Sequence, residues 1–197
     1  MYQGNVLETT LDSEGIAPNA RAAHELVQGG SFTPPGDLNP WETAVALFAL
    51  VGGPSRVTLA GISSSWSNWS LQPNGITPGL LAVNGEQVIA WGIPGTGLGQ
   101  SSLGFTGTSA PLGLTPGTAF QVGVLRHSNT YIVYDSGITQ VDLNLSLAFG
   151  SVPVDTSMTL GISEMPGAVP DTITLPTSFA PIPFQFAGRM HQLQLLG

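Results

Sequence analysis

The chain has 197 residues, a formal net charge of −8 and charged side chains at only 8% of positions, against about 25% in ordinary soluble proteins. Its cations are four scattered arginines (Arg21, Arg56, Arg126 and Arg189), which argues against nucleic acid or an anionic membrane as a partner, since both need clustered positive charge. The absence of cysteine excludes disulfides and thiol chemistry, and the positive mean hydropathy leaves few ionic groups to cover a monomer's surface, which favours burial against other chains.

Residues 1–40 differ from the rest of the chain. Val6-Leu7 begins a short possible strand, and Asn19 can cap a helical turn or two over residues 20–27, stopped by Gly29-Gly30. Pro34, Pro35 and Pro40 then mark an extended connector. The segment reads as an N-terminal arm that packs on a neighbour, or as a first strand with an edge covering. Its first residues lack the basic and apolar regions of a secretory signal, and no apolar run approaches the length of a membrane span, so a soluble product made in the cytoplasm is expected.

From Trp41 the pattern is strand-like with turn punctuation. Strands are expected over residues 43–51, 56–62 and 68–72. Two more, over 80–83 and 87–91, are joined by Asn84-Gly85, a dipeptide favoured where both turn residues need positive φ. The glycine-rich stretch 92–118 reads as one or two weak strands, best at 103–105, set in loops. Phe120, Val122 and Val124 alternate, as do Ile132 and Tyr134, and His127-Ser128-Asn129 supplies turn residues between them, which predicts a hairpin over 120–137. Strands at 141–147 and 156–162, a proline-containing loop over 165–183 and a last strand over 185–196 complete the chain. Many short strands with such turns indicate an antiparallel sandwich.

Several of these pieces share a common pattern. Phe120, Val124, Arg126, Asn129, Thr130, Tyr134 and Gly137 mark the hairpin, and Thr159-Leu160-Gly161 a later strand. Phe186, Gly188, Met190, Leu193 and Leu195 mark the close, while Leu59-Ala60-Gly61 and Trp69-Ser70-Leu71 fit the second and third core strands. On these residues the chain resembles the laminin-G-like, concanavalin-A-like jelly-roll family over residues 41–197. The resemblance implies an all-β, antiparallel two-sheet jelly-roll sandwich carrying an extended arm over 1–40. One departure is Ser136, where the family often has an acid before the glycine; here Asp135 stands one position earlier.

The family is often reused on virion surfaces. With sparse charge and no catalytic motif, the expectation is a non-enzymatic bacteriophage virion protein: a capsid decoration or cement protein, or else a tail or fibre subunit. Its partners would be the major capsid protein or other virion proteins. It would self-associate, for instance as a trimer, and reside in the virion after synthesis in the host cytoplasm. Glycosidases of this fold carry paired acids along one strand, and no such strand exists here; the nearest acids, Glu8, Asp12 and Glu14, lie in the arm.

No cofactor is expected. Asp135, Asp142 and Asn144 are weak calcium candidates, and residues 141–144 read equally as a strand with its polar face outward. His24, His127 and His191 have no metal-ligand spacing; His127 reads as a turn residue and His191 as an outward one. Gly95-Thr96-Gly97-Leu98-Gly99 lacks the lysine of a phosphate loop. The alternative function is a lectin-like module, with Trp66 and Trp69 as possible glycan contacts and Trp91 on another strand. Against it stands a reading in which Trp69 packs in the core and Trp66 covers an edge.

Overall fold

A computed structural model describes residues 41–52, 56–95, 99–164, 171–176 and 179–195. The arm and short helix expected over residues 1–40 lie outside the described residues. The elements are β1 (Trp41–Gly52), β2 (Val57–Leu71), β3 (Gly79–Val83), β4 (Glu86–Trp91), β5 (Ser101–Gly107) and β6 (Leu112–Leu114). They continue with β7 (Ala119–Ser128), β8 (Ile138–Phe149), β9 (Val152–Ser163), β10 (Thr172–Thr174), β11 (Ile182–Phe186) and β12 (Arg189–Leu195). They form two antiparallel sheets: seven strands in the order β11-β12-β1-β7-β5-β4-β3, and five in the order β10-β9-β8-β2-β6.

Both sheets turn apolar side chains into one shared core whose largest fully buried members are Trp91, Phe105 and Phe149. β8 shows why. Val141, Leu143, Leu145, Leu147 and Phe149 are buried, while Asp142, Asn144, Ser146 and Ala148 between them are not, the period-two signature of a strand with one wet face. The Asn84-Gly85 turn forms as expected, with φ of 51° and 84°, and joins β3 to β4.

Three expectations fail for one reason. Residues 56–62 and 68–72 are not separate strands but parts of the single strand β2. Its pairing with β8 shifts between Leu59 and Gly61 and again between Ser67 and Ser70. A bulge inserts one residue and swaps the faces, so burial moves from Val57 and Leu59 to Trp66, and the apparent period breaks. β7 bulges too, where its register with β1 shifts at Ala46/Leu47. Beyond that bulge Leu125 and His127 turn inward and Val124 and Arg126 outward, the reverse of the pattern set by Phe120 and Val122. His127 is therefore a buried strand residue and not a turn.

The hairpin expected over 120–137 does not form either. β7 lies between β1 and β5, residues 129–137 cross to the other sheet, and Ile132 keeps only an isolated bridge to Pro94. The stretch 92–118 contains β5, an interior strand of the seven-stranded sheet, as well as the short edge strand β6. The last strand is instead a hairpin, β11–β12, turning at Ala187-Gly188 with φ of 49° and 76°. His191 is buried, stacked on Phe184 at 5.5 Å, not outward as its sequence context suggests.

The inner layer allows little added volume at its small residues. A Cβ at Gly123 would lie 2.3 Å from the Phe105 ring and 2.6 Å from the Thr106 carbonyl, whereas one at Gly113 meets nothing within 4 Å. Gly123→Ala should lower unfolding free energy by about 1–3 kcal/mol, and Gly113→Ala by less than about 0.5 kcal/mol. Urea unfolding of the two variants checks the contrast; equal effects would refute this account of the packing.

Candidate functional site

One end of the sandwich gathers the segments in which polar chemistry and exposed apolar groups coincide. There the end of β2 and the turn after it (71–76), the loop after β4 (92–95) and the crossing segment 129–137 lie together. Backbone bonds join them: Gln72 N–H donates to Gly137 O (3.0 Å), Asn74 N–H to Asp135 O (2.9 Å), Val133 N–H to Ile93 O (2.8 Å) and Gly95 N–H to Tyr131 O (2.9 Å).

Ser136, fully buried, locks the junction. Its Oγ accepts from the Ile93 N–H at 2.9 Å and donates to Val133 O at 2.6 Å, supplying partners to backbone groups that no strand pairs. The Gln72 Oε1 accepts from Gly137 N–H at 2.9 Å, and the Ser101 hydroxyl both donates to Thr130 O (2.9 Å) and accepts from its N–H (3.2 Å). Glycine is required at the closest approaches. At Gly92, with φ of 83°, a Cβ would lie 2.4 Å from Ile132, and at Gly95 it would lie 2.0 Å from the Tyr131 ring.

Beneath this surface is a carboxyl pair. Glu164, just after β9, hydrogen-bonds Asp171, which is buried just before β10, and its Oε1 accepts from the Trp91 indole N–H. Burial, with the hydrogen bond and negative charge of Asp171 added, pushes the Glu164 pKa from 4.5 up to about 8; the Trp91 bond works against this. The other side of the site holds His127, its ring stacked on Trp91 with centroids 6.2 Å apart and planes 9° from parallel. Two carboxyls that hydrogen-bond each other leave no room for a sugar bond between them, so the pair lacks the separation glycosidases use. It fastens β9 to β10.

The end presents large apolar side chains to solvent. Leu71, Ile76, Ile93, Tyr131, Val133 and Tyr134 are six of the ten large hydrophobic residues exposed among the described residues; the tyrosines are widely open, at 60% and 67%. No sequence period marks these residues, because they come from three separate loops. Glu164 and Asp171 were equally hidden, lying seven residues apart on separate elements, one just after β9 and one just before β10. The glycines at 92, 95 and 137 were the one available signal of close loop packing.

The residues singled out from the sequence fall elsewhere. Trp66 is only 5% exposed and donates its indole N–H to Gln87 O at 2.9 Å, so it presents no ring face to a sugar. Trp69 packs half-buried against the core. Asp142 and Asn144 do share the outer face of β8, but Asp135 sits in the loop before that strand, with φ of 57°. Both Asp142 oxygens already accept, from Thr159 Oγ1 (2.6 Å) and Asn68 Nδ2 (2.9 Å), and Asn144 Nδ2 donates to Ser67 Oγ at 2.9 Å. The structure thus brings two of the three calcium candidates together and engages them in a side-chain network. Among the described residues no cluster of three or more His, Cys, Asp or Glu could hold a metal ion.

No protein-family model matches the chain, and no curated protein matches it.

The raised Glu164 pKa gives a signed pH dependence. The folded state keeps a proton that the unfolded chain releases above 4.5, so this contribution is complete below pH 4.5 and is lost as pH rises through about 8. Wild-type unfolding free energy should fall across that window with a component approaching about 1.4 kcal/mol per pH unit, and Glu164→Gln should flatten it. Urea titrations at about pH 5, 6.5 and 8 measure this; parallel curves for the two proteins would refute it.

Proposed function

We propose that this protein is a non-enzymatic assembly domain that attaches to a larger structure through its loop end, on a jelly-roll of the concanavalin-A-like, laminin-G-like kind. The observation that carries the reading is the set of exposed apolar and tyrosine side chains held on three segments, two of which hydrogen-bond to the third, residues 129–137. Exposed hydrophobic surface marks contact sites, and tyrosine gives large contact area for little lost side-chain entropy. Rigidity adds to this: Ser136 and the backbone bonds set the loops before a partner arrives, which lowers the ordering cost of binding.

The assembly that the resemblance implies is a bacteriophage virion, with this chain as a capsid decoration protein bound to the major capsid protein, or as a tail or fibre subunit. A self-association such as a trimer would multiply weak contacts. The low charge and net negative balance suit docking on protein rather than on nucleic acid.

The test is recovery with the assembly. The protein should appear at fixed stoichiometry in a mass-spectrometric inventory of purified particles. Tyr131→Ala with Tyr134→Ala should reduce that recovery at least about tenfold while leaving stability within about 1 kcal/mol, since both rings are mostly exposed. A chain absent from particles and monomeric at micromolar concentration would overturn the reading.

A second reading, a glycan-binding module, has one observation in its favour. The outer face of β2, β8 and β9 holds an open groove of about 570 Å³ lined by small polar residues that include Ser63, Ser65, Asn144, Asp155 and Ser157. It offers hydroxyl and amide partners without an aromatic platform, which predicts weak binding. Asn144→Ala should abolish any signal on a glycan array, and a blank array for the wild type removes this reading.

A further inference from the structure

Among the described residues the two sheets have four edges, and the protein treats them unequally. β6 and β10 are only three residues long, and β11 carries Pro183, so three edges are shortened or blunted in ways that discourage further pairing. β3 is different. It has five residues and no proline or charge, and Leu80, Leu81 and Val83 are 53%, 55% and 48% exposed. Leu80 and Leu81 are consecutive and so face opposite ways, which leaves both faces of the strand bare as well as its edge.

The Asn84-Gly85 turn fixes which backbone groups are free. A two-residue turn makes Val83 and Glu86 a hydrogen-bonded pair, and alternation then pairs Leu81 with Val88 and Gly79 with Ala90. Leu80 and Ala82 therefore aim their N–H and C=O groups away from β4, at the open edge. An occupant must be an extended strand carrying apolar side chains on both of its faces.

The chain has such a segment within reach. Residues 5–11 (NVLETTL) are rich in β-branched residues and place Val6 on one face and Leu7 and Leu11 on the other. The remainder of the first 40 residues is less suited: 20–27 carries a helix-capping pattern and 32–40 is proline-rich. The first strand also starts in the right place. Trp41 pairs with Ser128, Ser128 with Ser102, Ser102 with Ala90 and Ala90 with Gly79, so the chain enters β1 in the same row in which β3 begins. Four ladder steps of about 4.8 Å separate them by about 19 Å. The roughly 30 residues between Leu11 and Trp41 span about 30 Å as a flexible tether. A tether of that length holds its end near the edge at millimolar effective concentration, which favours the chain's own segment over one from another molecule.

We propose that residues 5–11 add to β3 as an eighth strand of the larger sheet, within the same molecule. The added strand takes up the free N–H and C=O groups of Leu80 and Ala82 and covers Leu80, Leu81 and Val83. It converts an unguarded edge into a covered one.

Amide exchange on the full-length chain, followed by NMR, tests this. The Leu80 and Ala82 amides should exchange at least about a hundredfold more slowly than free-chain rates, at all protein concentrations. Leu7→Asp with Leu11→Asp should return those two amides to free-chain rates while Ile89 and Leu103 stay protected, which shows that the sheet itself is intact. Fast exchange at Leu80 and Ala82 in the wild type would overturn the proposal. So would protection that survives the double substitution, or protection that disappears on dilution together with a dimer in sedimentation, since a second copy would then be the occupant.

Discussion

Everything in this fold depends on getting apolar side chains from both sheets onto one shared layer. A strand alternates its faces with period two, and a long twisted strand that must stay in register with curved neighbours cannot always keep that alternation aligned with the core. β8 manages it without interruption from Val141 to Phe149. β2 and β7 manage it by bulging, and each bulge reverses the faces beyond it. Without the bulge in β7, Arg126 would point inward; with it, the Arg126 guanidinium lies 3.2 Å from Glu86 on the outside, and His127 packs on Trp91.

The same constraint shapes the loop end. Residues 129–137 pass from one sheet to the other and leave strand pairing on the way, so their backbone groups need other partners. Ser136, Gln72 and Ser101 supply them, and glycines at 92 and 95 let the neighbouring loop approach closely enough to bond. Because the polar needs of these loops are met inward, their apolar side chains are left facing out. The surface proposed for docking is thus a consequence of how the crossing is satisfied. The Glu164–Asp171 pair beneath it costs charge repulsion, relieved by a retained proton and by the Trp91 bond.

Parts of this were legible in advance. The Asn84-Gly85 hairpin and the strands corresponding to β8 and β9 come from turn chemistry and alternation, which act over a few residues. The exposed loop end and the carboxyl pair were not legible, since their members come from segments that meet only when the sheets close. The tryptophans were legible as packing residues, but which of the two was the more buried was not, for a related reason. Trp66 sits among serines, and a polar neighbourhood in sequence says nothing of the opposite face of a strand, which is where its ring lies.

By itself, the sequence determined the class: sparse charge, no cysteine, and enough alternation and turn residues from Trp41 onward to make antiparallel strands. Those properties are local or additive, so they do not depend on the tertiary fold. Only the tertiary structure decided which sheet each strand joined, which faces turned inward past each bulge, and which loops converged. Those outcomes depend on register, and a shift of one residue reverses every side chain beyond it. The crossing over residues 129–137, readable in sequence as half of a hairpin, became the link between the two sheets because β7 already had a neighbour on each side.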